Sequence, residues 1–289
     1  MAKLLITGAN GQLGSEICNL AMSDNINSYI FTDIEELDIT DLDAVCNYVQ
    51  IQKPDYIINC AAYTAVDKAE EDIDLCTKIN YHAVENIAKC AKNIGAKVVH
   101  ISTDYVYGGD SSTPYLESDP TNPKSVYGST KLRGEIALMN ILPEDSIIIR
   151  TSWLYSTYGK NFVKTMIMLG KEMERLNVVS DQRGTPTYAR DLAKAIMHIV
   201  DAEKFVAGIY NYSNEGECTW YDFACEIHKI AGVESVVNPI STNEYPTKAI
   251  RPVYSVLNKS KIKRTFGLSI PNWKDSLNEC IRILNSNID

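Results

Sequence analysis

The chain has 289 residues, of which 45% are hydrophobic and 22% are charged, and its formal net charge is −9. This composition is typical of a soluble globular protein with one large core and a smaller lobe. The negative charge argues against a nucleic-acid surface, and no apolar run reaches the ~20 residues that cross a bilayer. Residues 1–8 hold too short an apolar stretch for a signal peptide, so we expect no membrane partner and a cytoplasmic protein.

The eight cysteines are scattered along the chain and contain no C-x-x-C pair. Several lie within apolar strand or helix patterns. We therefore expect small, buried hydrophobic side chains in a reducing compartment, and we do not expect a disulfide or metal framework.

The first predicted element is a short apolar strand over residues 3–7, followed by a glycine turn and a helical pattern. The turn reads Gly8-Ala9-Asn10-Gly11-Gln12-Leu13-Gly14. Strand, glycine turn and helix in this order predict a dinucleotide-binding site, because glycines let the backbone approach a pyrophosphate and the helix N-terminus offers unpaired N–H groups. The alternative is a glycine-rich turn that binds no ligand.

The second predicted strand covers residues 29–32 and ends at Asp33. A carboxylate here can accept hydrogen bonds from the adenosine ribose and repel a 2′-phosphate, which favours NADH, although Asp also commonly caps helices. The next helix has Thr40 or Asp41 as its predicted cap. The segment before that cap, which includes Asp38 and Ile39, commonly lies under the adenine.

The third and fourth predicted strands cover residues 55–60 and 96–101. Small residues, Ala61 and Ala62, follow the third strand, where a ligand can approach the backbone closely. The fourth strand ends in Ser102-Thr103-Asp104, whose hydroxyls we expect beside the reactive ring of a cofactor. His100 is predicted to be a core residue, whereas Asn80, on an apolar helix face, is either a satisfied core amide or part of a polar relay.

A further predicted helix carries Tyr127 and Lys131, which stand one turn apart on the same face. An ammonium near a phenol should lower the tyrosine pKa and make a general acid or base. By itself, Y-x-x-x-K is a weak motif that most often marks surface residues. The fifth strand follows over residues 145–150 and leads to Trp153, predicted either to form an apolar wall against a ligand or to lie in the core.

Strands and helices alternate up to about residue 150, which predicts an α/β fold with a doubly wound parallel sheet of the Rossmann type. We assign residues 1–153 to this dinucleotide-binding domain, completed by about 181–214. Residues 154–180 and 215–289 are assigned mainly to a smaller substrate lobe. Residues 177–179 and 209–212 predict further strands.

With these motifs in place, the chain resembles the extended short-chain dehydrogenase/reductase family, and within it the reductases that act on dTDP-linked 4-dehydro-6-deoxysugars. The resemblance covers nearly the whole chain. The matching segments are 8–14, 61–70, 102–107, 127–131, 150–155, 161–166 and 181–187.

The resemblance implies an oxidoreductase that uses NADH or NADPH to reduce the C4 keto group of a dTDP-sugar for polysaccharide synthesis. It implies a catalytic set of Thr103, Tyr127 and Lys131, with Asp104 and Trp153 also touching the sugar nucleotide. Tyr127 and Lys131 also contact the cofactor, whose other implied contacts are Gly8, Asn10, Gly11, Gln12, Leu13, Gly14, Asp33, Asp38, Ile39, Ala61, Ala62 and Tyr63. A homodimer and Mg²⁺ at a dimer contact follow from the same resemblance, but no metal ligand can be located in the sequence.

Two other functions are compatible with these motifs: a nucleotide-sugar epimerase or dehydratase of the same fold, and a non-catalytic regulatory subunit that binds a dinucleotide. The cations that meet the substrate diphosphate are not fixed by any motif. The candidates are Lys160, Arg183 and Arg251, each of which could equally be an ordinary surface residue.

Overall fold

The computed structural model describes residues 1–286. The strands are β1 (Lys3–Thr7), β2 (Ser28–Thr32), β3 (Tyr56–Asn59), β4 (Lys97–Thr103), β5 (Ser146–Thr151), β6 (Leu154–Tyr155), β7 (Arg175–Val179), β8 (Arg183–Gly184), β9 (Thr187–Tyr188), β10 (Gly208–Asn211), β11 (Cys218–Thr219) and β12 (Val236–Ile240). The α-helices are α1 (Gln12–Ala21), α2 (Leu42–Gln52), α3 (Val66–Ala69), α4 (Ile73–Thr77), α5 (Ala83–Ile94), α6 (Val126–Ile141), α7 (Phe162–Glu172), α8 (Ala189–Val200), α9 (Trp220–Ala231), α10 (Ser260–Phe266) and α11 (Trp273–Ser286).

A six-stranded sheet in the order β10-β5-β4-β3-β1-β2 organises the fold, and all its pairings are parallel. Its strands are short apolar runs, as expected for a parallel sheet covered on both faces. The predicted doubly wound α/β sheet is confirmed. The strand order reverses between β1 and β3, where ligands collect outside the carboxyl ends of the strands.

The two strands predicted after residue 153 belong to two different sheets. β10, which covers most of 209–212, pairs with β5 and is the sixth strand of the central sheet. β7, which includes 177–179, lies outside that sheet and pairs in parallel with β12. Its alternating burial, with Leu176 and Val178 buried, fits a small sheet covered on one face.

Helices cover both faces of the central sheet. On one face, α1 and α8 pack through a core that includes Ile17 and Ile196. On the other, α2, α5 and α6 pack through Val45, Ile87 and Leu138. A third core, rich in aromatic residues, joins α7, α9 and α11 and includes Phe223. α10 belongs to the predicted substrate lobe by sequence, yet its buried residues pack in the core of the first face.

A buried ion pair fixes α6 against the sheet. Glu135 on α6 and Arg150 on β5 are 1% and 2% exposed, and Arg150 Nη2 donates to Glu135 Oε2 at 2.6 Å. Arg150 Nη1 also donates to the Tyr107 hydroxyl at 2.8 Å, and the Ser102 hydroxyl on β4 donates to Glu135. The carboxylate therefore connects α6 to the ends of two neighbouring strands.

One prediction about the cysteines is wrong. Cys46 on α2 and Cys90 on α5 form a disulfide with a Cα–Cα distance of 4.9 Å. The two residues are 44 positions apart and share no motif, so only the packing of α2 beside α5 brings them together. Cys76, Cys218 and Cys280 are free and buried, as expected of small apolar side chains.

Within residues 1–286, no helix is both long enough and apolar enough to cross a membrane.

The Glu135–Arg150 pair should be a major source of stability. Glu135→Ala leaves Arg150 charged and buried without its carboxylate, which should lower the free energy of unfolding by about 3–5 kcal/mol in urea denaturation. Glu85→Ala is the matched control, because it removes a partly exposed glutamate that pairs with Lys89 one turn along α5. It should cost at most about 1 kcal/mol. Equal effects of the two substitutions would contradict the role assigned to Glu135.

Candidate functional site

The glycine turn after β1 touches the loop after β3, at the point where the strand order reverses. Gly8 has a φ of 67°, and a Cβ built on it would lie 2.7 Å from the Ala61 Cα atom. Only glycine fits both conditions. The predicted residues Gly8, Ala61 and Ala62 therefore lie together and leave the backbone open to a ligand.

The first turn of α1 borders the same opening. Gly11 is the N-cap of α1, and its N–H donates to Gly8 O at 3.1 Å. Asn10 and Gly11 are exposed, Gln12 is half-buried, and Leu13 and Gly14 are buried beneath the turn. The N-terminal N–H groups of a helix have no intrahelical partner, so this edge can accept a phosphate.

Asp33 lies beside the glycine turn, as the sequence predicts. Its Oδ2 accepts the Asn10 N–H at 2.9 Å, and its Oδ1 accepts the Ile34 N–H at 2.8 Å.

Asp38 accepts hydrogen bonds from the N–H and hydroxyl of Thr40, which lower its pKa. Asp41, one of the two predicted caps, accepts the Ala44 N–H and caps α2. Ile39 is buried in the core beneath that helix.

Asn80 holds the loop that follows β3. Its Oδ1 accepts the Tyr63 N–H at 2.9 Å, and its Nδ2 donates to Tyr63 O at 3.1 Å. Asn80 is 1% exposed and lies in a π-helical turn over Lys78–His82, a distortion that is frequent at functional sites. The amide is satisfied and holds a predicted cofactor-binding loop, and its Nδ2 also donates to the Thr130 hydroxyl on α6 at 3.3 Å, so it belongs to a chain of polar groups as well.

Thr103 and Asp104 follow β4 and are both buried. The Thr103 hydroxyl donates to Asp104 Oδ1 at 3.0 Å. Asp104 is 1% exposed, and burial raises its pKa to about 6 against the opposing effect of the Ser255 and Thr103 hydroxyls. This carboxyl can therefore change its charge slightly below neutral pH.

Gly128 lets α6 bring Tyr127 close to Thr103. A Cβ on Gly128 would lie 2.2 Å from Tyr105 O, so no other residue allows this contact between α6 and the turn after β4. Tyr127 packs edge-on against Tyr105, with ring centroids 5.6 Å apart. Burial raises the pKa of Tyr127, and a hydrogen bond with the Thr103 side chain opposes the rise only in part.

Lys131 is 2% exposed, and its ammonium group points into the sheet. Nζ donates to Ile101 O at 2.6 Å and lies 3.4 Å from His100 Nε2. Burial lowers the pKa of Lys131 to about 8. The expectation that Lys131 lowers the pKa of Tyr127 is wrong in this structure, because desolvation dominates and raises it.

Trp153 has a φ of 47°, one of two non-glycine residues with positive φ in the part of the chain described. Its ring stacks on Trp220 with a centroid distance of 3.6 Å, and Gly184 packs closely against it. The side chain is half-buried, so it is neither free in solvent nor fully enclosed in the core. Uncommon backbone conformations of this kind gather at functional sites.

The three candidate cations differ in their partners. Arg183 Nη1 pairs with Glu217 at 3.2 Å, whereas Arg251 pairs with Asp67 and donates to the Tyr105 hydroxyl at 3.0 Å. Lys160 is exposed beside the turn at Gly159, which lies against Gln12. The contact between Arg251 and Tyr105 was not expected, because 146 residues separate the two.

Residues 1–286 contain no group of three or more His, Cys, Asp or Glu side chains that could hold a metal ion. The described residues therefore do not fit the Mg²⁺ implied by the resemblance within a single chain, and we derive no step through a metal.

Comparisons with known proteins match the full length of the structure. The model of the family described as "RmlD substrate binding domain" matches residues 2–286. A dTDP-4-dehydrorhamnose reductase of Aggregatibacter actinomycetemcomitans is 42% identical over 96% of this chain and 97% of its own. A crystal structure of the Clostridium acetobutylicum dTDP-4-dehydrorhamnose reductase has a TM-score of 0.94 and 46% identity, covering 98% of this chain and 99% of that one. The Bacillus anthracis dTDP-4-dehydrorhamnose reductase, solved in complex with NADP, has a TM-score of 0.93 and 40% identity with the same coverage.

The raised pKa of Asp104 predicts a pH-dependent stability. In the unfolded chain Asp has a pKa near 3.8, whereas in the folded state the pKa of Asp104 is about 6, so the folded state binds this proton more tightly. The protein therefore loses stability as the pH rises from below 3.8 to above about 6. Asp104→Asn removes this loss. Its stability relative to the wild type should rise by roughly 3 kcal/mol across that interval, measured by urea denaturation at each pH. A difference that stays constant with pH would contradict a buried, titrating Asp104.

Proposed function

The chain belongs to the dTDP-4-dehydrorhamnose reductase family, and on that premise we propose that it reduces the C4 keto group of dTDP-4-dehydro-L-rhamnose to give dTDP-L-rhamnose. The proposal includes a nicotinamide cofactor, NADH or NADPH, a cytoplasmic location and a homodimer. Its product would be a sugar donor for polysaccharide synthesis.

The observation that carries the proposal is that the Thr103 and Tyr127 side chains interact, with Lys131 one turn further along the helix that carries Tyr127. Thr103 ends β4, whereas Tyr127 and Lys131 lie on α6, one turn apart. The Thr103 hydroxyl interacts with Tyr127, and the Lys131 side chain reaches Ile101 O on β4. Two adjacent hydroxyls can bind a carbonyl oxygen together, and one of them can donate a proton to it, which is the general-acid part of a ketone reduction.

The protonation states suit a reduction. When bound, the cofactor supplies the hydride that reaches C4. A tyrosine is protonated at neutral pH and the raised pKa of Tyr127 keeps it so, which leaves a proton for the C4 oxygen, a much stronger base once C4 has received the hydride. The Thr103 hydroxyl can orient the same oxygen, since a threonine hydroxyl both donates and accepts. Lys131 is assigned to the nicotinamide ribose hydroxyls.

On the substrate side, Trp153 supplies an apolar face and Asp104 a carboxyl group close to Thr103. The stacked pair of Trp153 and Trp220 can hold a ring of the sugar nucleotide. Lys160, Arg183 and Arg251 are the candidate cations for the diphosphate. Arg251 is held beside Tyr105, whose ring contacts Tyr127, which supports its place near the reacting sugar.

An epimerase or dehydratase of the same fold remains the nearest alternative, and a regulatory subunit is a second. The first would retain NAD⁺ through purification, because such enzymes take back the hydride they remove. The decisive assay adds dTDP-4-dehydro-L-rhamnose to the purified protein with NADH or NADPH and follows the loss of nicotinamide absorbance. Stoichiometric oxidation of the cofactor supports the reductase, and no turnover with either cofactor contradicts it.

Tyr127→Phe tests the proton donor. The ring can keep its contact with Tyr105, but the C4 oxygen loses both its proton and a hydrogen bond that strengthens as charge develops. We expect kcat to fall by ~10²–10⁴ and the cofactor Kd to change only a few-fold. Lys131→Met should lower kcat and also weaken cofactor binding.

Tyr48→Phe, on α2, is the matched control and should leave both constants unchanged. A Tyr127→Phe protein that turns over at the wild-type rate would remove Tyr127 from the mechanism.

Asp33 tests the cofactor preference. NADH should be at least as good as NADPH, because the Asp33 carboxylate is fixed where a 2′-phosphate would approach. Asp33→Asn should shift the ratio of kcat/KM values towards NADPH by about tenfold, equivalent to ~1.4 kcal/mol. Asp43→Asn, which removes an exposed carboxylate of α2, should leave the ratio unchanged. A hundredfold preference of the wild type for NADPH would overturn this interpretation of Asp33.

A further inference from the structure

The His100 side chain, which belongs to the central sheet, contacts the end of the Lys131 side chain on α6. It is on β4 and is fully buried, with 0% of its surface exposed. One ring nitrogen, Nε2, is 3.4 Å from Lys131 Nζ, and the other, Nδ1, is 3.1 Å from Asn59 Nδ2 on β3. The ring therefore joins the active-site lysine to an amide on the next strand.

The orientation of the Asn59 amide is fixed by its other partners. Its Oδ1 accepts the Ala61 N–H at 3.2 Å and the Thr7 hydroxyl at 2.7 Å. A backbone N–H can only donate, so the atom facing it must be the amide oxygen. The amide nitrogen consequently faces His100 and donates to Nδ1.

This donation determines the histidine tautomer. His100 Nδ1 must be unprotonated to accept from Asn59. Burial and the neighbouring Lys131 hold the pKa of His100 well below its usual value, so the ring is neutral and carries its single proton on Nε2. That N–H points at Lys131 Nζ.

We propose that His100, oriented by Asn59, is a positioning residue that directs an N–H at Lys131 Nζ and thereby favours the uncharged amine of Lys131 over its ammonium form. An ammonium group has no lone pair and cannot accept this hydrogen bond, whereas an amine can. The amine keeps its own donation to Ile101 O.

The remaining titratable groups around Lys131 act in the opposite direction. Glu135 on the same helix, Cys76 on α4 and Cys60 after β3 raise its pKa, and burial lowers it to about 8. Tyr127, one turn earlier on α6, keeps its proton. Among the polar groups around Lys131, His100 is thus the one whose hydrogen bond disfavours the ammonium form of Lys131.

The consequence for turnover rests on the proposed function. In that proposal Lys131 binds the nicotinamide ribose hydroxyls, and its ammonium form offers one more N–H donor for them than the amine does. Activity should therefore fall as the pH rises through the pKa of Lys131.

The first test examines the tautomer and is independent of any activity. Long-range ¹H–¹⁵N NMR of the full chain labelled at its four histidines distinguishes a protonated ring nitrogen from an unprotonated one. We expect His100 to show a protonated Nε2 and an unprotonated Nδ1. Its signals can be assigned by elimination with His82→Gln, His198→Gln and His228→Gln. A proton on Nδ1, or on both nitrogens, would overturn the proposal even if the protein is a reductase.

The second test is the pH profile of kcat/KM for the reduction. In His100→Gln the side-chain oxygen can accept from the ammonium, so the falling limb at high pH should move up by about one pH unit. His100→Asn provides a second variant if the first does not fold. His198→Gln is the matched control, because His198 lies on α8, where its ring hydrogen-bonds to Phe266 O, and this substitution should leave the limb in place. If a folded His100 variant loses kcat/KM at the same high pH as the wild type, the proposal for His100 is wrong. If the wild type has no activity, the proposed function is wrong and the proposal for His100 is judged by the NMR test.

Discussion

The buried pair of Glu135 and Arg150 determines where Tyr127 and Lys131, the proposed reactive side chains, lie. α6 carries Tyr127 and Lys131 on the turns before Glu135, so any shift of the carboxylate shifts both. Arg150 is held from its other side by the Tyr107 hydroxyl, and Ser102 ties the same carboxylate to β4, directly before Thr103. Isolated buried charges are too costly to persist, so the pair keeps the helix in one register against the two strands.

The ligand opening depends on a second close contact, between the glycine turn and the loop after β3. Gly8 allows the two backbones to meet at the reversal of the strand order, and Asn80 then holds the backbone of Tyr63 from both sides. Asp33 joins the second strand to the same turn through the Asn10 N–H. Three strand ends are thus held together by one close backbone contact and by two side chains that bind backbone groups, so the proposed cofactor site is fixed although it is formed by loops.

Much of this arrangement could be predicted from the sequence, because parallel strands are short apolar runs and their carboxyl ends share one edge. Asp33, Ala61 and Thr103 follow from that rule, and Gly8 follows from the glycine motif after the first strand. What the sequence does not predict depends on neighbours distant in sequence. Cys46 and Cys90 pair only because α2 packs beside α5, and β7 finds β12 only because both lie in the lobe. The contact of Arg251 with Tyr105 is of the same kind.

The sign of the Tyr127 pKa shift shows what a local motif leaves out. The i, i+4 spacing predicts a cation near a phenol, but it contains no information on burial. Desolvation penalises charge of either sign, so it raises the pKa of Tyr127 and lowers that of Lys131 together. Both side chains are thereby moved towards their neutral forms. A phenol of ordinary pKa is already neutral at pH 7, so the rise leaves Tyr127 in the form that can donate a proton but makes it a weaker acid. Its proposed role in a ketone reduction therefore rests on its position next to Thr103 and not on this shift.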